Sequence, residues 1–359
     1  MKNTLEYILL GVAALVLALI LIPIIKKFAV KFNLVDKPNY RKVHATPVPL
    51  VGGISIAITA FIVLIGSGNE MTILKQYLPI LLSGLALLIV GVIDDKTDVS
   101  AKYKLVIQLL LSFIIAYSGT RITSLYGLLG IYEIATWMQY ALTVLVITGV
   151  VNAFNLMDGV DGLVGGLSLL GFTMFLVASI FYDNYFLGKI SVIFIGATIG
   201  FLKYNLSKKK IFMGDAGSLF LGFILVSLGI QFMENQRVNQ DYGYAYGFLI
   251  LVAFFSIPVL DSLRVYVGRI KQGNSPFKAD KSHLHHLLLT AGLTHKKIAI
   301  FIVGFCMILF FVGFGLISFF STTIIIVAIM TLFWVILKLL LMINSLHEWR
   351  ATLKKLEQQ

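Results

Sequence analysis

The sequence predicts an all-α, polytopic integral membrane protein, and three observations lead to that prediction. Of its 359 residues, 58% are hydrophobic and only 13% are charged, whereas a soluble globular domain carries about 25% charged residues. The mean hydropathy is +0.93. Apolar segments of spanning length also recur along the whole chain. We therefore expect one membrane-embedded domain over residues 1–359, with an active-site cleft that faces the cytoplasm.

Eleven apolar segments are long enough to cross a bilayer as helices, since about 20 residues are needed and some variation is tolerated. Residues 120–136 hold a β-prone run around a glycine, which predicts a short hairpin. The first segment lacks a small-residue cleavage pattern after it, so we expect no cleavable signal peptide. The predicted segments are 5–25, 48–66, 77–93, 105–119, 137–152, 163–182, 188–204, 216–233, 244–260, 298–319 and 322–345.

The basic residues predict the orientation, because cytoplasmic loops of membrane proteins are enriched in Lys and Arg. With eleven spans, 23 of the 29 Lys and Arg residues fall on one side. This places the N-terminus outside and the C-terminus in the cytoplasm. The net charge of +12 is therefore attributed to topology and anionic lipid headgroups rather than to nucleic acid. All six histidines share the cytoplasmic side with Asp94, Asp95, Asp158, Asp161, Asp215 and Asp261, which predicts a single site there.

The stretch NAFNLMDGVDGL carries a polar residue at every third position, namely Asn152, Asn155, Asp158 and Asp161. Residues three apart are neighbours on a helix, so these four would form one polar ribbon. A glycine after each aspartate favours a place where a helix frays or ends. Acids and amides at the mouth of a membrane are costly without a partner. A site for a cation and a phosphate-bearing ligand is one interpretation, and a polar loop between two spans is the other.

Two further acidic motifs fall at segment ends. Asp94 and Asp95 end the third segment, and adjacent carboxylates repel unless a cation intervenes, while Lys104 supplies positive charge for phosphate. Asp215 lies between two glycines at the start of the eighth segment, where it could bind a metal completed by phosphate oxygens. The alternatives are a juxtamembrane charge cluster and a capped glycine turn.

Residues 261–286 contain three histidines, His283, His285 and His286, and the basic residue Arg264. His283 and His286 would share a face if this region is helical. Zinc binding is one interpretation of the spacing. With basic residues on both sides, contact with phosphate oxygens or proton transfer is a second, and a structural surface loop is a third.

Near the start of the chain, Lys42 and His44 precede the proline-punctuated stretch TPVPLVGG, which predicts a rigid approach to the second segment. These residues are candidates for substrate binding. The alternative is solvated positive charge on the cytoplasmic side.

Together and in this order, the motifs resemble the polyprenyl-phosphate N-acetylhexosamine-1-phosphate transferases. The resemblance extends from RKVHATPVPLVGG to SHLHH and includes the eleven-span layout. The string SPFKADKSHLHH is similar to the branch that uses UDP-N-acetylglucosamine. The related phospho-MurNAc-pentapeptide transferases have three consecutive histidines and a GTPTMGG-like stretch. This sequence has HLHH and TPVPLVGG instead, so UDP-MurNAc-pentapeptide is kept only as the alternative donor.

The resemblance implies a role for each candidate. The acidic pair handles the lipid phosphate, Lys104 matches a phosphate-contacting lysine of KxxxQ type, and Asp215 matches a ligand of Mg²⁺, with Mn²⁺ as the alternative ion. Asn205 and Phe212 match positions that hold and stack the uracil, and Asp161 resembles a uridine-site residue. The implied catalytic residues are Asp94, Asp95, Asp158, His283, His285 and His286. The implied substrate-binding residues are Lys42, His44, Lys104, Asn152, Asn155, Asp161, Asn205, Phe212 and Arg264.

The implied reaction is phosphoryl transfer in the bacterial inner membrane. An oxygen of undecaprenyl or another polyprenyl phosphate attacks the β-phosphate of a UDP-sugar, giving polyprenyl-diphosphate-sugar and UMP at the start of polysaccharide or teichoic acid synthesis. The expected partners are the lipid phosphate, the UDP-sugar and the membrane, without nucleic acid; a homodimer is left open. The rivals are a secondary transporter, which needs charges or broken helices near the middle of the membrane, and a lipid-phosphate phosphatase.

Overall fold

The structure of this chain, a computed structural model, consists of long helices and two small two-stranded sheets. It describes residues 2–36, 46–68, 71–238, 244–275 and 282–356. In chain order the elements are α1 (Lys2–Lys31), β1 (Val35–Asp36), β2 (Val48–Pro49), α2 (Gly52–Gly66), α3 (Met71–Thr97), α4 (Ala101–Tyr117), β3 (Ser124–Leu128), β4 (Ile131–Glu133), α5 (Thr136–Asn155), α6 (Leu163–Phe181), α7 (Tyr185–Asn205), α8 (Gly214–Val238), α9 (Tyr244–Lys271), α10 (Leu284–Thr290), α11 (His295–Leu316) and α12 (Thr322–Leu356).

Every one of the eleven predicted apolar segments corresponds to a helix, so the all-α class is confirmed. Among the described residues, nine helices are long and apolar enough to cross a membrane. The two others are α2, with 15 residues, and α4, with 17. At 1.5 Å per residue they are about 23 and 26 Å long, against a hydrocarbon core of about 30 Å. The chain is a multi-pass membrane protein, and eleven as the number of spans stays a prediction.

Helix α8 is the central element, because its apolar length is buried on all sides and it packs against α2, α3, α5 and α9. Small residues allow these close approaches. A Cβ on Gly91 of α3 would lie 2.3 Å from Cα of Ala216, and one on Gly53 of α2 would lie 2.1 Å from Cα of Gly217. Small residues let helix backbones approach closely in membranes, and here they bring the start of α8 against the end of α3.

Helices α1 and α7 pack by the same principle. Gly196 and Gly200 lie four apart on α7, and a Cβ on them would meet the Gly11 carbonyl oxygen at 2.2 Å and the Ala18 Cβ at 2.6 Å. The GxxxG spacing is typical of close helix contacts in membranes. The other face of α1 exposes large apolar side chains, as a lipid-facing helix does.

The predicted hairpin is confirmed, since β3 and β4 pair antiparallel. It lies at the C-terminal end of α8, where the buried Glu234 holds it. Thr123 donates from Oγ1 to Glu234 at 2.7 Å, and Tyr126 donates from its hydroxyl at 2.9 Å. The hairpin therefore lies at the opposite end of the helix bundle from the start of α8.

The approach to α2 is tied to the segment before α8. Strand β1 pairs antiparallel with β2. The Phe212 N–H donates to the Pro49 carbonyl at 2.9 Å, and the Gly52 N–H donates to the Phe212 carbonyl at 2.9 Å. The rigid approach predicted from TPVPLVGG therefore supports the backbone of Phe212.

Candidate active site

A cleft of about 1090 Å³ opens at the end of the bundle where α3, α5 and α7 finish and α4, α6 and α8 begin. Helix α5 ends at Asn155 and α6 begins at Leu163, so the central motif lies at a helix end, as predicted. Nine predicted site residues line this cleft: Asp94, Asp95, Lys104, Asp158, Asp161, Asn205, Phe212, Asp215 and His286.

One lysine joins two acidic motifs. The Lys104 ammonium contacts Oδ2 of Asp94 and lies 3.1 Å from Oδ2 of Asp215. Asp94 is buried, and its other oxygen accepts a hydrogen bond from the Val99 N–H at 2.7 Å. Asp215 has one third of its side chain exposed to the cleft. The carboxylates therefore share a positive charge, and Asp215 is the more accessible of the two.

Asp95 caps the start of α8. Its carboxylate accepts hydrogen bonds from the N–H groups of Asp215 at 2.8 Å and Ala216 at 3.2 Å, which otherwise lack partners at a helix start. Gly214 has φ +73, and a Cβ there would lie 2.5 Å from Oδ2 of Asp95. Only glycine fits this contact without strain. Asp95 thus orients Asp215, while its predicted catalytic role stays a prediction.

The two asparagines of the central motif connect helices. Asn155 donates to Oγ of Ser218 on α8 at 2.8 Å. Asn152 donates to the side chain of Gln108 on α4 and to the Thr148 carbonyl. Neither is among the residues that line the cleft. In the described structure they hold α5 against its neighbours.

A second wall of the cleft joins two loops. Lys210 pairs with Oδ2 of Asp161 at 2.9 Å, and its Nζ lies 5.0 Å from the centre of the Phe212 ring. The buried Asn205 accepts from the Gly162 N–H at 2.6 Å and donates to the Ile211 carbonyl at 2.8 Å. Because both ends of its amide bind backbone, Asn205 fixes the loops that carry Asp161 and Phe212.

The pKa values of the two aspartates of the DGVDG loop, Asp158 and Asp161, are shifted in opposite directions. Burial raises the pKa of Asp158 well above its usual value, and the charges of Asp215 and Asp95 act in the same direction. Burial also acts to raise the pKa of Asp161, but the hydrogen bonds from His295 and Lys210 outweigh it, so the net pKa is lowered. Asp161 therefore keeps its negative charge.

The histidine motif lies partly beneath the cleft. His283 is the N-cap of α10, and its Nδ1 lies 2.9 Å from the buried Asp261. Arg264 donates to Asp261 and to the Ser282 carbonyl, each at 2.6 Å. Of these residues and the neighbouring His285 and His286, only His286 lines the cleft.

His285 is buried against the central motif, since a Cβ on Gly159 would lie 2.5 Å from its Nε2. Burial lowers the pKa of His285 to about 3, and the neighbouring His286 and His283 act in the same direction. His285 is therefore neutral at pH 7, and its predicted role in contacting phosphate or transferring a proton stays a prediction. Its described contact is packing of α10 against the DGVDG loop.

Sequence reasoning assigned no individual role to three residues that the structure connects to the site or to its histidine motif. Lys210 and His295 line the cleft and both bind Asp161, but each lies in a basic run that also fits topology alone. Asp261 anchors His283 and the first N–H of α10. Asp261 directly follows the predicted segment 244–260; an acid at the end of a membrane segment is a functional candidate, and that signal could have found it. Lys42 and His44 lie outside the described residues.

The donor set at Asp215 fits a hard divalent cation. Mg²⁺ usually takes one or two carboxylates and completes its shell with water and phosphate oxygens. Asp215 and Asp94 supply two carboxylates that already share one cationic group, Lys104. Within the described part of the chain, no three His, Cys, Asp or Glu residues form a metal-holding cluster. A site here would therefore depend on phosphate oxygens from a ligand.

Comparison with known proteins places these motifs in a family context. Residues 77–233 match the glycosyl transferase family 4. The chain is 34% identical over 298 residues to a probable undecaprenyl-phosphate N-acetylglucosaminyl 1-phosphate transferase of Bacillus subtilis (strain 168), covering 82% of this chain and 81% of that protein. It is 32% identical to the undecaprenyl-phosphate alpha-N-acetylglucosaminyl 1-phosphate transferase of Yersinia pestis and 31% identical to that of Escherichia coli (strain K12), in each case over 77% of this chain and 75% of the relative.

Proposed function

The chain belongs to glycosyl transferase family 4, and from that membership we propose that it transfers N-acetylglucosamine 1-phosphate from UDP-N-acetylglucosamine to undecaprenyl phosphate. The relatives compared above carry this activity in their names. Because the chain belongs to a transferase family, a transferase is favoured over the alternative of a secondary transporter. The products are undecaprenyl-diphosphate-N-acetylglucosamine and UMP.

One observation carries the proposal. Acidic residues from α3, from the loop after α5 and from the start of α8 line one cleft together with Lys104, beside the wall formed by Asp161, Lys210 and Phe212. The first group suits phosphate chemistry and the second suits a nucleotide. Two adjoining subsites of this kind are what a transfer from a nucleotide sugar to a phosphate acceptor requires.

The transfer exchanges one P–O bond for another. An oxygen of the lipid phosphate attacks the donor phosphorus that carries the sugar. The bond between that phosphorus and the bridging oxygen breaks as the new bond forms. The bridging oxygen leaves with UMP, and the lipid retains the sugar phosphate as a diphosphate.

Charge neutralisation is the main task of the site, because acceptor and donor are both polyanions. Lys104 and Lys210 face the cleft and supply fixed positive charge. When bound, Mg²⁺ would add positive charge at the diphosphate oxygens, with Asp215 as its proposed ligand and Asp94 beside it; Mn²⁺ is the alternative ion. Since a phosphate monoester loses its second proton near pH 6, the acceptor needs no strong base, and Asp94 is proposed to position it.

The proposed location is the cytoplasmic face of the bacterial inner membrane. The distribution of Lys and Arg supports this orientation, since the ends of α1, α3, α7 and α9 that lie on the cleft side carry the basic clusters. UDP-sugars are cytoplasmic metabolites, so a cleft on this face would have access to them. The reaction would then start the synthesis of a cell-surface polysaccharide or teichoic acid.

The test is an assay with purified protein, undecaprenyl phosphate, Mg²⁺ and a panel of UDP-sugars, with UMP as the detected product. We expect UMP release only when both the lipid phosphate and UDP-N-acetylglucosamine are present. Release of inorganic phosphate from the lipid alone would indicate a phosphatase instead. No UMP from any UDP-sugar would overturn the proposed function.

A further inference from the structure

A side chain from α11 reaches the wall of the cleft that the donor nucleotide would contact. His295 is the first residue of α11 and lines the cleft. Its Nδ1 lies 3.3 Å from Oδ2 of Asp161 and 3.4 Å from the backbone nitrogen of the same residue. One ring nitrogen therefore faces both the carboxylate oxygen of Asp161, which can accept a hydrogen bond, and its backbone N–H, which can donate one.

This arrangement holds Asp161 in either tautomer of His295. With a proton on Nδ1, the ring donates to the Asp161 carboxylate. Without that proton, the same nitrogen accepts from the Asp161 N–H. The contact thus restrains both the side chain and the backbone of Asp161.

His295 adds a third element to a surface that is otherwise built from two loops. Lys210 links the Asp161 carboxylate to the Phe212 ring, and Asn205 links Gly162 to Ile211. His295 lies 134 positions after Asp161, outside the 77–233 match to the family. It connects the C-terminal helices to the cleft at Asp161, which Lys210 also binds and which directly precedes the Gly162 that Asn205 holds.

We propose that His295 is a positioning residue for the donor nucleotide. It fixes the orientation of Asp161, so that Asp161, Lys210 and Phe212 present one preformed surface to the UDP-sugar. The inference rests on the proposed function, because the nucleotide role of Asp161 does. A preformed surface binds more tightly because less conformational freedom is lost on binding.

The test measures the dissociation constant of UDP-N-acetylglucosamine by calorimetry without lipid phosphate, so that no turnover occurs. The variants are His295→Ala, His295→Asn and His295→Gln, because the Asn amide nitrogen lies near the position of Nδ1 whereas that of Gln lies near Nε2. Lys297→Ala, an exposed change in the first turn of the same helix, is the matched control.

We expect about tenfold weaker binding in His295→Ala, the effect of losing one hydrogen bond to a charged group. His295→Asn should recover most of the affinity, while His295→Gln should not. In the transfer assay KM for the donor should rise with kcat close to wild type, because the changed contact concerns binding rather than the reacting centre. Lys297→Ala should match wild type.

Wild-type affinity in His295→Ala, or a Gln variant that binds better than the Asn variant, would overturn the inference while leaving the transferase proposal intact. A loss of kcat with unchanged KM would overturn it as well. If His295→Ala fails to fold, the comparison of Asn with Gln still decides. The transferase proposal fails separately, by the absence of UMP release from wild-type protein.

Discussion

Nζ of Lys104 donates a hydrogen bond to Oδ2 of Asp215 at 3.1 Å, although the two residues are 111 positions apart in the sequence. The same ammonium contacts the buried Asp94, so one lysine neutralises carboxylates from two other helices. A divalent cation at Asp215 would compete with Lys104 for that oxygen. Its binding would leave the ammonium available for a phosphate group.

Lys104→Met should therefore affect both stability and activity. Without the ammonium the two carboxylates face each other unpaired, which is destabilising. We expect a lower Tm in metal-free buffer and a larger rise in Tm on adding Mg²⁺ than in wild type, measured by differential scanning fluorimetry. UMP release should fall about 10- to 100-fold, as for loss of a charged phosphate contact. An equal Mg²⁺ effect on both proteins would contradict the competition.

Asp215→Asn should nearly abolish turnover even at saturating Mg²⁺, because a neutral amide does not offset the charge of the ion as a carboxylate does. The measurement is UMP release together with gel filtration to verify folding. Asp183→Asn is the control, since Asp183 lies between α6 and α7 at the other end of the bundle and has φ 49, which asparagine tolerates. Substantial activity in Asp215→Asn would mean that another residue holds the metal.

Phe212→Ala should weaken the use of the donor and spare the acceptor. The ring lines the cleft beside Lys210, and stacking of one base on an aromatic ring contributes about 1–3 kcal/mol. This corresponds to about a 5- to 150-fold rise in donor KM, with the KM for undecaprenyl phosphate nearly unchanged. Phe212→Tyr, which retains an aromatic face, is the control. An equal loss for both substrates would argue against a nucleotide-specific role.

Topology can be tested by reporter fusions at Gln359 and within residues 234–242. The C-terminal end of α8 lies opposite the cleft, so these two points should report opposite sides of the membrane. We expect the C-terminus in the cytoplasm and residues 234–242 outside. Fusions that report the same side would rule out eleven spans with the predicted orientation.

Much of the fold was predictable because membrane helices and hairpins leave local signals. Apolar length identified the described helices except the short α10, and a β-prone run around glycine identified the hairpin of β3 and β4. Part of the cleft was predictable in the same way, because its residues fall at the ends of apolar segments. Consecutive spanning helices alternate in direction, which brings these ends to one side of the membrane. Asp94, Asp158 and Asp215 are examples, and each lies in a motif that is unusual for a membrane segment.

The pairings inside the site were not predictable, because they join residues far apart in sequence. Nothing local indicates that Asp95 caps α8, or that both ends of the Asn205 amide bind backbone. The burial of His285 depends on its packing against Gly159, which is more than 100 positions earlier. Lys210 and His295 were masked by the many basic residues that topology alone explains. Such partners follow from tertiary structure rather than from composition or periodicity.

The most direct test of the central claim is a competition between two donors. Purified protein is given undecaprenyl phosphate, Mg²⁺ and equal concentrations of UDP-N-acetylglucosamine and UDP-MurNAc-pentapeptide, and the lipid products are identified by mass spectrometry while UMP is quantified. The account predicts undecaprenyl-diphosphate-N-acetylglucosamine as the lipid product, with one UMP released for each molecule formed. Preferential formation of the pentapeptide-bearing lipid would contradict the assigned donor, and lipid product without matching UMP would contradict the reaction.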